Sequence, residues 1–290
     1  MRLANHPALS KHQEHQYLDL LRDLLDAPTR DTRNDEGTRS LFGRQMRFDM
    51  SRGFPLLTTK KLPFRVIAGE LIWFLSGSTN VRPLHEQGIK IWNEWADENG
   101  DLGPVYGEQF RGQLGCRREP HDVTKDGRYN PLRTDQVAQM LRGLHHDPYG
   151  RRHVMTLWNA GQIDQMALPP CHGIAIQFYV ETDGRLSLFM HQRSADAFLG
   201  LPFNIASYAL LLTMFARALD REPGEFVWSG GDVHLYANHV EQARQQILRE
   251  PRPLPWLSVA NRNSLDDWTL GDFTVSDYRP WPHIAAEVSA

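Results

Sequence analysis

IAIQFYVETDGRLSLFMHQRSADAFLGLPFNIASYALLLTMFARAL, residues 174–219, is the stretch that decides the fold. Residues 174–180 and 186–190 are rich in β-branched and aromatic side chains, and Asp183-Gly184 between them signals a hairpin. Residues 204–219 are apolar for too long to be a strand and predict a central helix. Working outward, residues 40–50 partly alternate apolar with polar and predict a strand, and residues 153–158 a short one. A helix is predicted over 17–25, where Tyr17, Leu20, Leu21, Leu24 and Leu25 recur at helical spacing before Pro28. A buried helix is predicted over 63–75, with Pro63 near its start and Gly77 past its end. Thr134 reads as the cap of a helix carrying Val137, Met140, Leu141 and Leu144, stopped by Asp147-Pro148. Residues 236–249 read as an amphipathic helix followed by the extended PRPLPW. Strands and helices mix without βαβ alternation, which argues for an α+β fold. No linker cuts the chain, so residues 1–290 are expected to form a single domain, with a flexible extension at 1–14 and a surface insertion at 111–133.

The chain has 290 residues, 41% of them hydrophobic, enough for one sizeable core. A net charge of -3 provides no global basic field for nucleic acid or membrane, so any anion site is local. Two cysteines, Cys116 and Cys171, argue against a disulfide framework and for a reducing, cytoplasmic setting. The first residues have no apolar core of a signal peptide, and no run of about 18 apolar residues is read as a membrane span.

Several residue groups carry chemistry, each with a plainer reading beside it. Cys171, in Pro169-Pro170-Cys171-His172-Gly173, is either a small buried hydrophobe or a nucleophile, and a nucleophile needs positive neighbours. Arg33, Arg151-Arg152 and Arg193-Ser194 are either solvated surface groups or the forked donors and hydroxyl that a phosphate monoester calls for. Asn204, at the mouth of the apolar helix, is an N-cap or a reader of uracil O4 and N3–H, where an Asp would suit cytosine. Gly230-Gly231-Asp232-Val233-His234-Leu235-Tyr236 reads as a Gly-rich turn, with His234 and Tyr236 facing the same way on an extended segment and able to hold a ribose hydroxyl. Glu70, inside the apolar AGELIWFL, is either salt-bridged or a proton shuttle whose pKa burial raises. Gly115-Cys116-Arg117-Arg118 in the insertion reads as a reactive thiol, an RNA-facing patch or, more plainly, an exposed loop.

Together these residues resemble the thymidylate synthase family from about Tyr17 to about Pro282. The matching blocks are FPLLTTKK, ELIWFLSG, LHE, IWNEWADENGDLGPVYGEQ, DPYGRR, MALPPCHG, QFYV, QRSADAFLGLPFNIASYALL, GEFVWSGGDVHLYANH and LREPRPLP. The resemblance implies a large twisted mixed β-sheet flanked by helices, and a homodimer made by packing that sheet on its twin. It implies two substrates, deoxyuridine monophosphate (dUMP) and 5,10-methylenetetrahydrofolate, and no metal. By the same resemblance Cys171 adds to C6 of uracil, Glu70 relays protons at the base, Tyr106 helps remove the C5 proton through water, and His172 organises that water. Arg33, Arg193 and Ser194 match phosphate ligands, Arg151 and Arg152 reach the partner subunit's phosphate site, and Gly200 belongs to the same nucleotide site. Asn204 matches the base reader, His234 and Tyr236 the sugar ligands, and Asp196 the pterin ligand. Trp92, Trp95, Leu168, Leu199 and Phe203 match walls of the folate and base, and Lys60 the folate tail contact.

The chain departs from the family pattern in the phosphate loop after Arg33, on the folate side and at the tail. Two acids, Asp35 and Glu36, follow Arg33; Gly69 and Pro63 stand where His is usual; Asn93 stands where Asp is usual; and the usual short apolar tail is replaced by Glu287-Val288-Ser289-Ala290. After methylene transfer, hydride from the folate gives the methyl product, whereas water entering past an altered lid gives the hydroxymethyl nucleotide. The expectation is reductive methylation of dUMP, with hydroxymethylation of the same substrate as the alternative.

Overall fold

The structure, a computed structural model, describes residues 11–31, 37–116 and 131–288, with backbone alone at Cys116 and Pro131. Arg33, the acids beside it, Arg117, Arg118, Ser289 and Ala290 lie outside the described residues. The helices are α1 (His15–Asp26), α2 (Phe64–Leu75), α3 (Arg82–Glu86), α4 (Tyr106–Arg111), α5 (Gln136–His146), α6 (Gly200–Ala218) and α7 (Val240–Ile247). The strands are β1 (Thr29–Arg30), β2 (Thr38–Asp49), β3 (Gln113–Cys116), β4 (Pro131–Thr134), β5 (Val154–Met155), β6 (Ala175–Val180), β7 (Leu186–Asp196), β8 (Pro223–Tyr236), β9 (Trp256–Val259) and β10 (Phe273–Ser276).

Six strands form one mixed sheet in the order β1-β2-β8-β7-β6-β5, in which β7 and β8 run parallel and the other neighbours antiparallel. Period-two alternation sorts its faces. Met46 and Phe48, Ile176, Phe178 and Val180, and Phe226 and Trp228 are buried, while Gln45 and Arg47, and Gln177 and Tyr179, are exposed. Phe178 meets Phe215 of α6 at 4.5 Å between ring centroids. In α6, Leu201, Pro202 and every residue from 204 to 216 are buried. A helix apolar on all sides belongs in a core. That settles a tension with the sequence reading: at mean hydropathy 1.2 this helix is long and apolar enough to cross a membrane by composition, yet it is packed inside the protein.

Several boundaries move. α6 begins at Gly200, so Asn204 lies within the helix and the N-cap reading of it falls. Residues 230–236 belong to β8 and form no turn; Gly231 is needed there because a Cβ would lie 2.9 Å from the Arg193 carbonyl on the parallel neighbour. Arg193 and Ser194 sit within β7 and do not follow a finished strand. Asp135, not Thr134, caps α5 by accepting from the Ala138 N–H at 2.9 Å. The ends of the expected insertion are paired as β3 and β4. The helix expected over 236–249 is confined to Val240–Ile247, because Tyr236 still pairs with Thr38 in the sheet.

The expected flexible extension stops short of Gln13 and Glu14, which are buried. The Glu14 carboxylate accepts from the backbone N–H groups of Thr58 and Thr59 at 2.8 and 2.7 Å and from both hydroxyls at 2.7 and 2.5 Å. The carbonyl of Thr58 in turn accepts from the Trp281 N–H at 2.7 Å, and that of Thr59 from Arg249 at 2.8 Å. One buried acid therefore ties the start of the chain to residues 58–60 and, through them, to the C-terminal segment. Removing it strands two buried N–H groups. Glu14→Ala should cost about 3 kcal/mol in urea unfolding, the scale of a charged acceptor lost from buried donors. A loss below about 0.5 kcal/mol, the ordinary surface value, would contradict this role.

Candidate active site

The parallel register of β7 and β8 sets Ser194 beside Asp232 and Asp196 beside His234. The Pro-Pro-Cys turn docks on the same strand, because the Arg193 N–H donates to the Cys171 carbonyl at 2.9 Å. Arg193 Nε donates to the Pro170 carbonyl at 2.9 Å and Nη2 to that of Pro169 at 3.2 Å, while the guanidinium lies 5.2 Å from the Trp158 ring. The arginine therefore clamps the turn that presents the cysteine and brings a positive charge to it.

Cys171 is half-buried. Its backbone N–H donates to the Tyr106 hydroxyl at 2.9 Å, and that hydroxyl stands 3.6 Å from Sγ. Since the phenol oxygen accepts the N–H, its own proton is available to the sulfur. Burial pushes the thiol above its ordinary value, outweighing the Tyr106 hydrogen bond and the Arg193 charge, both of which favour thiolate. His172 is buried and its ring stacks on Tyr106 at 4.5 Å; burial lowers its pKa to about 3, so the imidazole is neutral.

Glu70, on α2, is also buried, and the Trp92 indole N–H donates to Oε1 at 2.8 Å. Burial raises the carboxyl to about 7, with the Trp92 bond a smaller opposing effect. Of the two sequence readings, the salt bridge finds no cation among the described residues. Trp92 extends an aromatic wall, 5.7 Å from Tyr106 and 5.6 Å from Trp95. Leu168, Leu199 and Phe203 are half-buried against the core.

Asn204 has its orientation dictated from the core. An indole N–H can only donate, so Trp228, 3.0 Å away, faces the carbonyl oxygen of Gln192. Gln192 Nε2 then donates to Asn204 Oδ1 at 2.9 Å, and the Asn204 amide nitrogen is the end not engaged by that bond. Gly200 lies where a Cβ would approach Asp196 Cβ at 3.7 Å and Asn204 Oδ1 at 3.9 Å. The Asp196 carboxylate accepts from the Phe198 and Leu199 N–H groups at 2.9 and 3.2 Å and stands 3.9 Å from His239 Nδ1. His234 and Tyr236 do share a face, their rings 5.0 Å apart. His234 Nδ1 lies 3.4 Å from Asp232, which also accepts from Ser40 at 2.6 Å.

Two other expected groups sit in contrasting environments, Lys60 buried and Arg151 and Arg152 exposed. Lys60, read as a folate tail contact, is buried; its ammonium donates to the Phe198 carbonyl and sits 3.7 Å over that ring. Burial lowers it to about 7, partly offset by Asp196. Arg151 and Arg152 are exposed and line a cleft of about 630 Å³ with Tyr149 and His153, a cleft that Cys171 does not line. Gln192, Trp228, Tyr208, Asp232 and His239 were not singled out from the sequence. Asp232 alone carried a signal, its period-two spacing with His234 and Tyr236.

The folate-side departures have local explanations. A Cβ at Gly69 would lie 2.3 Å from Ile89 Cδ1, so the isoleucine occupies the space of a larger residue. Asn93 Oδ1 pairs with His85 Nε2 at 2.6 Å. Pro63 precedes the first residue of α2, where no N–H is lost. Near the C-terminus, Arg249 donates to the Pro282 carbonyl at 2.7 Å, Ile284 is buried, and the Glu287 carbonyl pairs with His239 Nε2 at 2.7 Å.

A carboxyl moved from 4.5 to about 7 gives a signed prediction. Between those values folded Glu70 keeps a proton that the unfolded chain releases, so its contribution to stability falls as pH rises. Glu70→Gln removes that titration and keeps an acceptor for Trp92. Stability of the variant relative to the parent should therefore rise by about 3 kcal/mol across this window in denaturant titrations. A constant difference would show that Glu70 titrates normally.

The half-buried Cys171 between a phenol and a guanidinium, a neutral imidazole, a carboxyl poised near 7 and an oriented amide converge where α6 meets β7. The thymidylate synthase family model matches residues 15–290, and the chain belongs to the thymidylate synthase family, enzymes of folate-dependent one-carbon transfer to C5 of dUMP.

Proposed function

We propose that this enzyme completes the transfer reductively, converting dUMP to thymidylate while methylenetetrahydrofolate becomes dihydrofolate. The observation that carries this reading is the hydrogen bond between the Glu287 carbonyl and His239, which holds the C-terminal segment against a fully buried residue beside Asp196. A segment anchored there favours a site from which water is excluded, and hydride transfer to the C5 methylene requires that exclusion. The folate co-substrate supplies the one-carbon unit and the hydride.

In this reading Cys171 Sγ adds to C6 and makes C5 nucleophilic; Arg193 and Tyr106 favour the thiolate that attacks. Tyr106 and His172 order the water that takes the C5 proton. Glu70, able to hold or release a proton near neutrality, relays protons at the base. The Asn204 amide nitrogen donates to uracil O4, and the Oδ1 lone pair left free by Gln192 accepts from N3–H. Arg193 and Ser194 take phosphate, with Arg33 as a further ligand, and His234 and Tyr236 take the sugar. Asp196 accepts from pterin N–H groups against Trp92, Trp95, Leu168, Leu199 and Phe203, with Lys60 behind Asp196. Arg151 and Arg152, exposed in a cleft that Cys171 does not line, suit a phosphate on a second copy, in a homodimer built on the sheet face that leaves Gln45, Arg47, Gln177 and Tyr179 exposed.

The test is a product assay with dUMP and methylenetetrahydrofolate. Thymidylate formed with equal dihydrofolate is the expected result, with turnover abolished in Cys171→Ser. A hydroxymethyl nucleotide without dihydrofolate would overturn the reductive reading. Asn204→Asp should shift preference toward the cytosine nucleotide; an unchanged preference would remove Asn204 as the base reader.

A further inference from the structure

Tyr208, on α6 one turn beyond Asn204, has its hydroxyl 2.9 Å from His172 Nδ1, and both residues are buried. Residues four apart on a helix share a side, so α6 presents the amide and the phenol together. The neutral imidazole has one N–H and one lone pair, and which nitrogen carries the proton follows from its partners. If Nδ1–H donated to the phenol oxygen, the phenol proton would need another acceptor, and the described residues offer none. The arrangement that satisfies both groups has Tyr208 donating to Nδ1.

The surroundings hold that arrangement in place. Gly173 has φ of 70°, and a Cβ there would lie 2.5 Å from both the Tyr208 hydroxyl and Leu157 Cδ1, so the backbone after His172 is pressed against the phenol. Burial, with Cys171 and Glu70, raises the Tyr208 ionisation well above its ordinary value and keeps it a donor. The other side of the network runs from the His172 ring, stacked on Tyr106, to the hydroxyl that touches Cys171.

We propose that Tyr208 is a positioning residue of the active site, whose hydroxyl fixes His172 as the Nε2–H tautomer and so leaves Nε2–H as the donor edge beside the nucleophile. The catalytic part of this rests on Cys171 being the nucleophile; the tautomer itself does not. That donor edge serves a base carbonyl or the water bound to it.

Nitrogen NMR of the full-length protein labelled in histidine, with His172 assigned by substitution, reads the tautomer directly. The parent should show His172 protonated at Nε2 and bare at Nδ1, and Tyr208→Phe should give a mixture of tautomers. Protonation of the parent at Nδ1 would overturn the proposal, as would a tautomer unmoved in Tyr208→Phe. In turnover, Tyr208→Phe should lower kcat about tenfold, part of the ~10²-fold or more that a positioned proton-transfer group contributes, with KM for the nucleotide changed less than about twofold. In a His172→Ala background the same change should have no further effect. An equal loss in both backgrounds would assign Tyr208 a role independent of His172. A parent inactive on dUMP would sink the functional reading while leaving the NMR result to decide the tautomer.

Discussion

Desolvation of ionisable side chains around the start of α6 is the constraint on which the rest of this structure depends. Burial is the largest influence on Cys171, His172, Glu70 and Lys60, and in each it favours the uncharged form. Moving a carboxyl from 4.5 to about 7 represents about 3 kcal/mol of native-state penalty on its charge, a large share of the 5–15 kcal/mol that holds a typical domain together. A fold retains such groups only where the surrounding core over-determines their positions. Here it does so with single-purpose hydrogen bonds: Trp92 to Glu70, Tyr208 to His172, and Trp228 through Gln192 to Asn204.

The sheet supplies the registration that those bonds need. β7 and β8 are parallel neighbours, and their pairing sets the anion-facing and sugar-facing candidates side by side at one end. Gly231 permits the strands to approach at Arg193, and the same arginine grips the turn that carries Cys171. Glu14 works at a distance, fixing Thr58 and Thr59 and thereby the segment from which Lys60 enters the core. Position in this site is thus inherited from packing several residues away, which is why side chains that touch no substrate still matter to it.

Much of this was legible in the sequence. The hairpin at Asp183-Gly184 and the apolar run of α6 announced the layers, and the motif around Pro169-Pro170-Cys171-His172 announced the nucleophile candidate. What escaped has physical reasons. The β8 segment read as a turn because its glycines satisfy close strand contact and not chain reversal. Asn204 read as a cap because helix starts are set by backbone geometry that side-chain patterning does not encode. Tyr208 and Gln192 sit within apolar or mixed runs and look like ordinary core residues until their partners, distant in sequence, are placed beside them. The resemblance marks Lys60 as a folate tail contact, and nothing in the Lys60-Lys61 pair tells that the stem and ammonium of the first are both enclosed.

The central claim is that burial biases Cys171, His172 and Glu70 toward their uncharged forms before substrate arrives, with Cys171 the sharpest instance. Thiolate formation can be followed by ultraviolet absorbance in the unliganded protein, taking Cys171→Ser as the reference. The account predicts that the Cys171 thiolate band appears only above the ordinary thiol range. A thiolate already formed at neutral pH would mean that Arg193 and Tyr106 outweigh desolvation, and would contradict the account.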